Sequence, residues 1–260
     1  VTVGGGVVGD LGGFVASTYM RGLALFHVPT TLLAQVDASI GGKTAVNLRR
    51  GKNLVGTFHR PRGVFIDPMT LASLPQREFV GGLAEVAKAA MIRDAELFAY
   101  LEANAAAILA REPGPLEEIV FRAASVKAAV VEEDEREAGL REILNYGHTV
   151  GHAIEAAAGF KGHHGEAVSA GMEAEAKIAT DLGILAPDAT AAQGRLIESL
   201  GLPRRVSGVS RTKVRDAMSA DKKSRDGRLR FALPEAVGRA RFGVEVPDET
   251  VDAALAMVLS

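Results

Sequence analysis

The sequence contains no cysteine and no tryptophan, and aromatic residues make up only 5% of its 260 residues. Without cysteine the chain forms no disulfides, which agrees with a reducing compartment, and it offers no thiolate to a metal ion. Any metal ligands must therefore be histidines or carboxylates. The chain also lacks an uninterrupted apolar run long enough to cross a bilayer and has no recognisable signal peptide, so we expect a cytoplasmic protein with no membrane partner.

An excess of charge of one sign is also missing. The formal net charge is −2, which gives no basic footprint for nucleic acid, so no nucleic-acid partner is expected. Hydrophobic residues make up 47% of the sequence and charged residues 24%, as in ordinary globular proteins. A chain of this length can bury one large core or two modest ones.

Histidine is concentrated in one stretch, from Arg141 to Glu166. Four of the six histidines lie there: His148, His152, His163 and His164. Arg141, Asn145, His148 and His152 are separated by four, three and four residues, which predicts one polar face on a helix over 141–158. A single histidine is usually a surface or hydrogen-bonded core residue, but this density favours a metal site beside a polar pocket. With no cysteine available, a carboxylate or a further histidine must complete the site, which favours a borderline metal such as zinc.

The beginning of the chain predicts a strand, a glycine turn and a helix. The stretch V-T-V is followed by G-G-G-V-V-G-D (4–10), and glycines at such a turn let the backbone approach a phosphate near a helix N-terminus. The same turn also serves plain packing of a strand on a helix, so by itself it is a weak sign of nucleotide binding. Because the chain opens on a strand already under way, we expect earlier strands upstream in the natural protein.

The segment Thr30–Asn53 is predicted to be a long loop rich in polar side chains. Asp37, Lys43, Lys52 and Asn53 are candidates for contacting a polyhydroxylated anion, although a solvated surface loop is the alternative.

Long alanine-rich helices begin at Pro75, so we expect an α/β part over 1–74 and a helical part over 75–260. The further helices are predicted over 95–111, 115–133, 141–158, 165–181, 189–200, 211–220 and 249–259, with a small hairpin of strands 229–233 and 241–246.

Seven stretches in order resemble the 3-dehydroquinate synthase family. They are G-G-G-V-V-G-D (4–10), V-P-T-T-L-L-A-Q-V-D-A-S-I-G-G-K-T (28–44), G-K-N (51–53), G-L-A-E-V-A-K (82–88), D-E-R-E-A-G-L-R-E-I-L-N-Y-G-H-T-V-G-H-A-I-E (134–155), H-G-E (164–166) and D-K-K (221–223). Together they span nearly the whole chain. The N-terminal portion of the family, which supplies part of the adenosine pocket, is absent, so we expect weaker NAD binding.

The resemblance implies the C-terminal part of a Rossmann-like NAD-binding domain followed by a helical metal-binding domain. It implies Zn²⁺, or Co²⁺ in its place, held by Glu85, His148 and His164. Six residues would contact NAD: Gly5, Gly6, Asp10, Thr30, Thr31 and Lys52. The implied reaction converts the sugar phosphate 3-deoxy-D-arabino-heptulosonate 7-phosphate to 3-dehydroquinate and phosphate, with NAD regenerated within each turnover.

The resemblance also implies the residues that line the substrate pocket. The residues closest to the chemistry would be Lys88, Lys127, Glu137, Arg141, Asn145 and His152, and further substrate contacts would come from Asp37, Lys43, Asn53, Lys222 and Lys223. Arg21 would reach the partner's site across a homodimer interface. Among these, His152 is the expected proton shuttle, since an imidazole can titrate near neutrality. On a continuous helix Arg141 would lie two turns, roughly 10.5 Å, from His148 and would bind an anionic end of the substrate.

Three alternatives stay open. Another sugar phosphate cyclase would use the same zinc, NAD and glycine turn on a different heptulose phosphate. A metal-dependent polyol dehydrogenase has a related architecture, but it needs no phosphate-binding cations such as Lys43 and Lys222/Lys223. A fragment that keeps the metal domain but lacks half the cofactor site would be inactive.

Overall fold

The computed structural model describes residues 1–48, 51–160, 162–224 and 229–260, and the side chains at 48, 51–54 and 221–224 lie outside the description. Its first part is a small α/β unit. β1 (Thr2–Gly4), β2 (Phe26–Pro29) and β5 (Gly63–Val64) form a parallel sheet in the order β1-β2-β5, and α1 (Gly6–Thr18) connects β1 to β2. This agrees with the predicted strand, glycine turn and helix. The turn therefore lies at the carboxyl end of β1, where open α/β sheets bind ligands.

The segment predicted as a loop over Thr30–Asn53 is largely regular, so that prediction was wrong. It contains a π-helical turn, Ala34–Ala38, and an antiparallel hairpin of β3 (Lys43–Leu48) and β4 (Gly51–Phe58). The hairpin packs on α1, where Thr44 lies close to Gly13: a Cβ on Gly13 would stand 2.5 Å from the Thr44 methyl. Of the glycines that suggested a loop, Gly41 and Gly42 have φ 101° and 68° and form the turn before β3.

The second part of the chain is mostly helical, as expected, and holds most of the core. The remaining helices are α2 (Gln76–Arg93), α3 (Ala95–Leu109), α4 (Pro113–Glu133), α5 (His148–Ala157), α6 (His164–Asp181), α7 (Pro187–Ser199), α8 (Arg211–Ser224) and α9 (Asp248–Val258). The predicted hairpin is present as β6 (Arg230–Ala236) and β7 (Arg239–Glu245). Helices α2 and α6 are buried along most of their length, so Glu85 and Lys88 of α2 and Glu173 and Glu175 of α6 lie inside the protein.

The predicted continuous helix over 141–158 is wrong. A 3-10 turn, Leu140–Asn145, is followed by a break at Tyr146 and Gly147, and α5 begins only at His148. Gly147 has φ 79°, and a Cβ there would stand 2.6 Å from Met172 Cγ, so the break depends on glycine. Arg141 and Asn145 therefore do not share a helix with His148.

Small residues let α6 approach its two neighbours closely. A Cβ on Gly165 would lie 2.1 Å from the Gly81 carbonyl of α2, and a Cβ on Gly171 would lie 2.0 Å from the Gly147 carbonyl. Both contacts adjoin residues that the sequence singled out, since Gly165 follows His164 and Gly147 precedes His148. The packing of α2, α5 and α6 thus brings these histidines toward one another.

Within the part of the chain that the structure describes, no helix has the length and apolar character that a membrane span requires.

Candidate active site and metal centre

Three side chains from three helices meet at one buried carboxylate. Glu85 of α2 lies between His148 of α5 and His164 of α6, and its Oε1 is 3.3 Å from Nε2 of each ring. The three side chains are 1%, 11% and 28% exposed respectively. Their nearest ligand atoms all lie within 4.8 Å of one another. The three residues implied as zinc ligands by the resemblance are thus adjacent.

The donor set and its spacing fit a divalent cation. Two atoms bound at about 2.1 Å to one tetrahedral ion stand roughly 3.4 Å apart, close to the observed separations from Glu85. One carboxylate oxygen and two imidazole nitrogens suit Zn²⁺ or Co²⁺, and three protein ligands leave room for substrate.

The charges around His164 favour a cation as well. Burial by itself lowers the pKa of His164, but hydrogen bonds to Glu155 and Glu85 and the charge of both carboxylates overcome it and raise the pKa to about 10. Negative charge that retains a proton so firmly also stabilises a metal cation.

His152 stands one turn after His148 on α5, as predicted, with its ring centroid 5.0 Å from that of His148 and 6.2 Å from that of His164. The expectation that it titrates near neutrality is wrong. Desolvation and the neighbouring His148 lower its pKa to about 3. His152 is therefore neutral at pH 7, carries no proton to donate from an imidazolium, and is a weaker base than an ordinary imidazole.

A second group of charges, fully buried at Glu85 and Lys88 and partly buried at Asp37 and Lys127, adjoins the histidines. Glu85 Oε2 pairs with Lys88, and Lys127 Nζ donates to Asp37 Oδ1 at 2.6 Å and to the Asp37 carbonyl at 2.7 Å. Burial opposes ionisation of Asp37, but Lys127 and Lys88 hold the pKa of its carboxyl below the usual value. Burial likewise disfavours the charge on Lys88, yet Glu85 and Asp37 raise its pKa.

Asp10 connects this charged group to the glycine turn. Burial and the nearby Asp37 raise the pKa of Asp10 to about 6, while Lys127 acts in the opposite direction. Asp10 lies on the first turns of α1, beside a shallow pocket lined by Thr2, Gly4, Gly5, Gly6, Gly9, His27, Val28, Pro29, Ala34, Ala38 and Ser39.

The glycines of this turn pack closely against neighbouring side chains. A Cβ on Gly5 would stand 3.0 Å from the Thr31 methyl, and one on Gly6 would stand 3.3 Å from Ala38 Cβ. Gly5 is the N-cap of α1 and makes no side-chain cap, so the first N–H groups of the helix are available to an anion. Thr30 also belongs to this region, because its N–H donates to the Gly4 carbonyl at 3.0 Å.

A further group of predicted residues gathers around Glu137. Its Oε2 pairs with Lys43 at the start of β3, and its Oε1 accepts a hydrogen bond from Asn145 Nδ2 at 3.4 Å. Glu137 has φ 59°, a left-handed conformation that is uncommon outside glycine. The adjacent loop is organised by Asp134, which accepts the N–H groups of Ala138, Gly139 and Arg141 at 2.8–3.0 Å.

Arg141 is buried, but its guanidinium is bound to the backbone. It donates to the Glu135 carbonyl at 2.6 Å and to the Gly41 carbonyl at 3.3 and 3.4 Å. The predicted span along a helix to His148 is absent because the helix is broken at Gly147. Arg141 instead joins the loop before Lys43 to the loop that carries Glu137.

Other predicted residues are not brought to this site by described contacts. Arg21 is exposed at the end of a 3-10 turn, Tyr19–Arg21. The side chains of Lys52, Asn53, Lys222 and Lys223 lie outside the described residues.

With this geometry in place, comparison with known proteins assigns the family. The family model for the N-terminal part of 3-dehydroquinate synthase matches residues 1–81, and that for the C-terminal part matches residues 82–224. The chain belongs to the 3-dehydroquinate synthase family. A 3-dehydroquinate synthase of Caldanaerobacter subterraneus subsp. tengcongensis is 49% identical over 252 residues, which are 96% of this chain and 70% of the relative.

Two solved structures of related cyclases have the same fold. The 2-epi-5-epi-valiolone synthase ValA of Streptomyces hygroscopicus subsp. jinggangensis 5008, with NAD⁺ and Zn²⁺ bound, matches with TM-score 0.91 and 34% identity, over 98% of this chain and 71% of that one. A 2-deoxy-scyllo-inosose synthase complexed with carbaglucose-6-phosphate, NAD⁺ and Co²⁺ matches with TM-score 0.83 and 30% identity, over 98% and 72%. The expected fold class, part of an NAD-binding domain followed by a helical domain, is confirmed.

Two carboxylates that support the histidines were not predicted from the sequence. Glu155 Oε2 lies 3.1 Å from His164 Nδ1, and buried Glu175 accepts the N–H groups of Gly147 at 2.6 Å and Val150 at 3.0 Å. Glu155 could have been found by spacing, since it follows His148 by seven residues and His152 by three. Glu175 carries no such signal, because its partner is the broken turn before α5.

Proposed function

We propose that this site converts 3-deoxy-D-arabino-heptulosonate 7-phosphate to 3-dehydroquinate and phosphate, the reaction of a carbon–oxygen lyase acting on a phosphate. The observation that carries the proposal is the joining of two groups at Glu85. On one side lie the metal-ligating histidines, and on the other lie the buried Lys88 and the partly buried Lys127 with Asp37. An anionic, polyhydroxylated substrate needs both.

Glu85, His148 and His164 would hold Zn²⁺ or Co²⁺, and Gly5, Gly6, Asp10, Thr30, Thr31 and Lys52 would contact NAD⁺. When bound, the cation supplies a Lewis acid and NAD⁺ supplies a reversible hydride acceptor. The glycine turn supports the cofactor assignment, since the N–H groups at the start of α1 have no side-chain cap and can bind a phosphate. Lys52 rests on the resemblance alone.

The residues of the chain supply binding and proton transfer. The charges of Glu85 and Asp37 keep Lys88 cationic, so it can donate a charge-assisted hydrogen bond to a substrate anion. Burial lowers the pKa of Lys127 although Asp37 opposes the shift, and a lysine brought nearer neutrality can exchange a proton with a hydroxyl. His152 is neutral beside the metal ligands and can hydrogen-bond a substrate hydroxyl.

The remaining pocket residues are assigned by position. Lys43 and Asn145 each contact Glu137, and the three residues would line the opposite side of the pocket. Arg141 would act through the two loops that it joins, in addition to any contact with substrate. Asn53, Lys222, Lys223 and Arg21 stay predictions, as do the homodimer, the cytoplasmic location and the domain boundary near residue 74.

The test measures two products from the purified chain supplied with NAD⁺ and Zn²⁺. We expect inorganic phosphate release from the heptulosonate phosphate with no net NADH, and loss of release in Glu85→Gln. His163→Ala is the matched control, because His163 Nδ1 faces Glu78 Oε1 at 3.2 Å instead of the ligand group.

Three results would contradict the proposal. NADH accumulation from a simple polyol without phosphate release would indicate a dehydrogenase. Turnover of a different heptulose phosphate in preference would indicate another sugar phosphate cyclase. Zinc binding with neither activity would indicate that the chain is not an active enzyme by itself.

A further inference from the structure

The His164 ring lies between two carboxylates, and only one of them belongs to the proposed ligand set. Nε2 is 3.3 Å from Glu85 Oε1, whereas Nδ1 is 3.1 Å from Glu155 Oε2. Glu155 lies on α5 with a side chain that is 5% exposed. An imidazole that donates its Nδ1 proton to a carboxylate keeps the Nε2 lone pair free for a metal ion.

His148 shows the same division of its nitrogens. Its Nδ1 is 3.1 Å from the Tyr146 carbonyl, and its Nε2 points to Glu85 Oε1 at 3.3 Å. The acceptor for His148 is fixed by the Tyr146 backbone, and the Tyr146 hydroxyl is itself anchored by donation to Gln193 Oε1 at 2.5 Å. Each histidine thus has an acceptor at Nδ1 and presents Nε2 to Glu85.

A competing arrangement uses Glu155 as a ligand. His152, Glu155 and His164 also offer ligand atoms within 4.8 Å of one another. An ion held there would take Nδ1 of His164 and would leave His148 and the more deeply buried Glu85 without it. The matching orientation of His148 and His164 toward Glu85 favours the first arrangement.

We propose that Glu155 is a positioning residue that fixes the tautomer and orientation of His164 and so raises the affinity of the chain for its metal ion. The proposal rests on the metal site of the proposed function and adds a residue outside the ligand set. Outer carboxylates of this kind typically change metal affinity by about 10- to 100-fold.

The experiment titrates Zn²⁺ and Co²⁺ into wild type, Glu155→Ala and Glu155→Gln, with stoichiometry, Kd and the visible Co²⁺ spectrum as readouts. We expect one ion per chain in all three. Glu155→Ala should raise Kd about 10- to 100-fold and shift the Co²⁺ spectrum, because the His164 ring is no longer held. Glu155→Gln should lie between, since its amide oxygen still accepts the Nδ1 proton but carries no charge.

Glu166→Gln is the matched control for loss of one acidic charge near His164. Glu166 bonds Arg77 at 2.6 and 3.1 Å, and glutamine can keep a hydrogen bond there. The Kd of Glu166→Gln for the metal ion should stay within about twofold of the wild-type value. Thermal melts should confirm that every variant is folded.

Distinct results would overturn the inference. An unchanged Kd and spectrum in Glu155→Ala, with one ion bound in wild type, would refute the positioning role and leave the metal site intact. Two ions in wild type, one of them lost in Glu155→Ala, would make Glu155 a ligand of a second ion. No ion in wild type would refute the proposed metal site itself.

Discussion

At the scale of single residues, adjacent histidines have different surroundings. His164 faces Glu85 and Glu155, while His163 faces Glu78 on the outer side of α2. We expect His164→Ala to lower the zinc content of the purified protein sharply and His163→Ala to retain it, as measured by elemental analysis. Equal zinc retention in the two variants would remove His164 from the ligand set.

Arg141 gives a second prediction at this scale. Lysine in its place presents one compact ammonium and cannot donate to the Gly41 and Glu135 carbonyls as the guanidinium does. We expect Arg141→Lys to lower the free energy of unfolding by roughly 1.5–3 kcal/mol, measured by urea denaturation. The rate of phosphate release should fall as well. The exposed Arg136→Lys should change neither. A collapse of activity with unchanged stability would instead indicate direct contact of Arg141 with substrate.

The site residues can be predicted only where chemistry is concentrated in the sequence. Histidine density and helical spacing are enough to indicate a metal site near His148 and His152. The pairing of Asp37 with Lys127 cannot be read from spacing, because 90 residues separate them and the contact depends on how α4 packs on the π-helical turn. The role of Glu85 comes from the resemblance for the same reason.

At the scale of elements, the turn before α5 shows why periodicity failed. The apolar and polar spacing through 141–158 is continuous, so it cannot reveal a left-handed glycine at 147. What favours the break is tertiary: Gly171 approaches the Gly147 carbonyl, and Glu175 of α6 accepts the N–H groups that begin α5. A helix whose first N–H groups are bound by another helix needs no cap of its own.

Glu175 makes the stability of this turn depend on pH. Burial raises its pKa to about 8, although the N–H groups of Val150 and Gly147 oppose the shift. Between its ordinary value of 4.5 and about 8, the unfolded chain releases a proton that the folded chain keeps, so stability falls as pH rises through this range. Glutamine cannot ionise and should remove this loss.

The measurement compares the unfolding of wild type and Glu175→Gln at pH 5 and pH 9. We expect similar stability at pH 5 and an advantage for the variant of roughly 2–4 kcal/mol at pH 9. A variant that is less stable at pH 9 than wild type would show that the ionised carboxylate, bound to the helix N-terminus, is the stabilising form.

At the scale of the whole molecule, the proposed ion would join α2, α5 and α6, which are far apart in sequence. Binding only to the folded chain stabilises it by about 4 kcal/mol when free ion exceeds Kd a thousandfold. For a chain of this size that should raise Tm by roughly 10 °C, and a chelator should reverse the rise. Scanning calorimetry of wild type and His164→Ala, each with and without Zn²⁺, tests this. An equal rise in both proteins would place the ion elsewhere.

Because the backbone of Glu137 is left-handed, the residue that best stabilises the fold at this position differs from the residue that best serves catalysis. Any residue with a Cβ is disfavoured at φ 59°, and glycine there would relieve roughly 1 kcal/mol. The Lys43 pair that glycine would forfeit is half-exposed and therefore weak, so the substitution should leave the fold more stable. A library at position 137 screened for heat resistance should enrich glycine, whereas one screened for turnover should return glutamate. Glu137 would then be a position where this lineage keeps a less stable loop in exchange for a carboxylate facing the substrate.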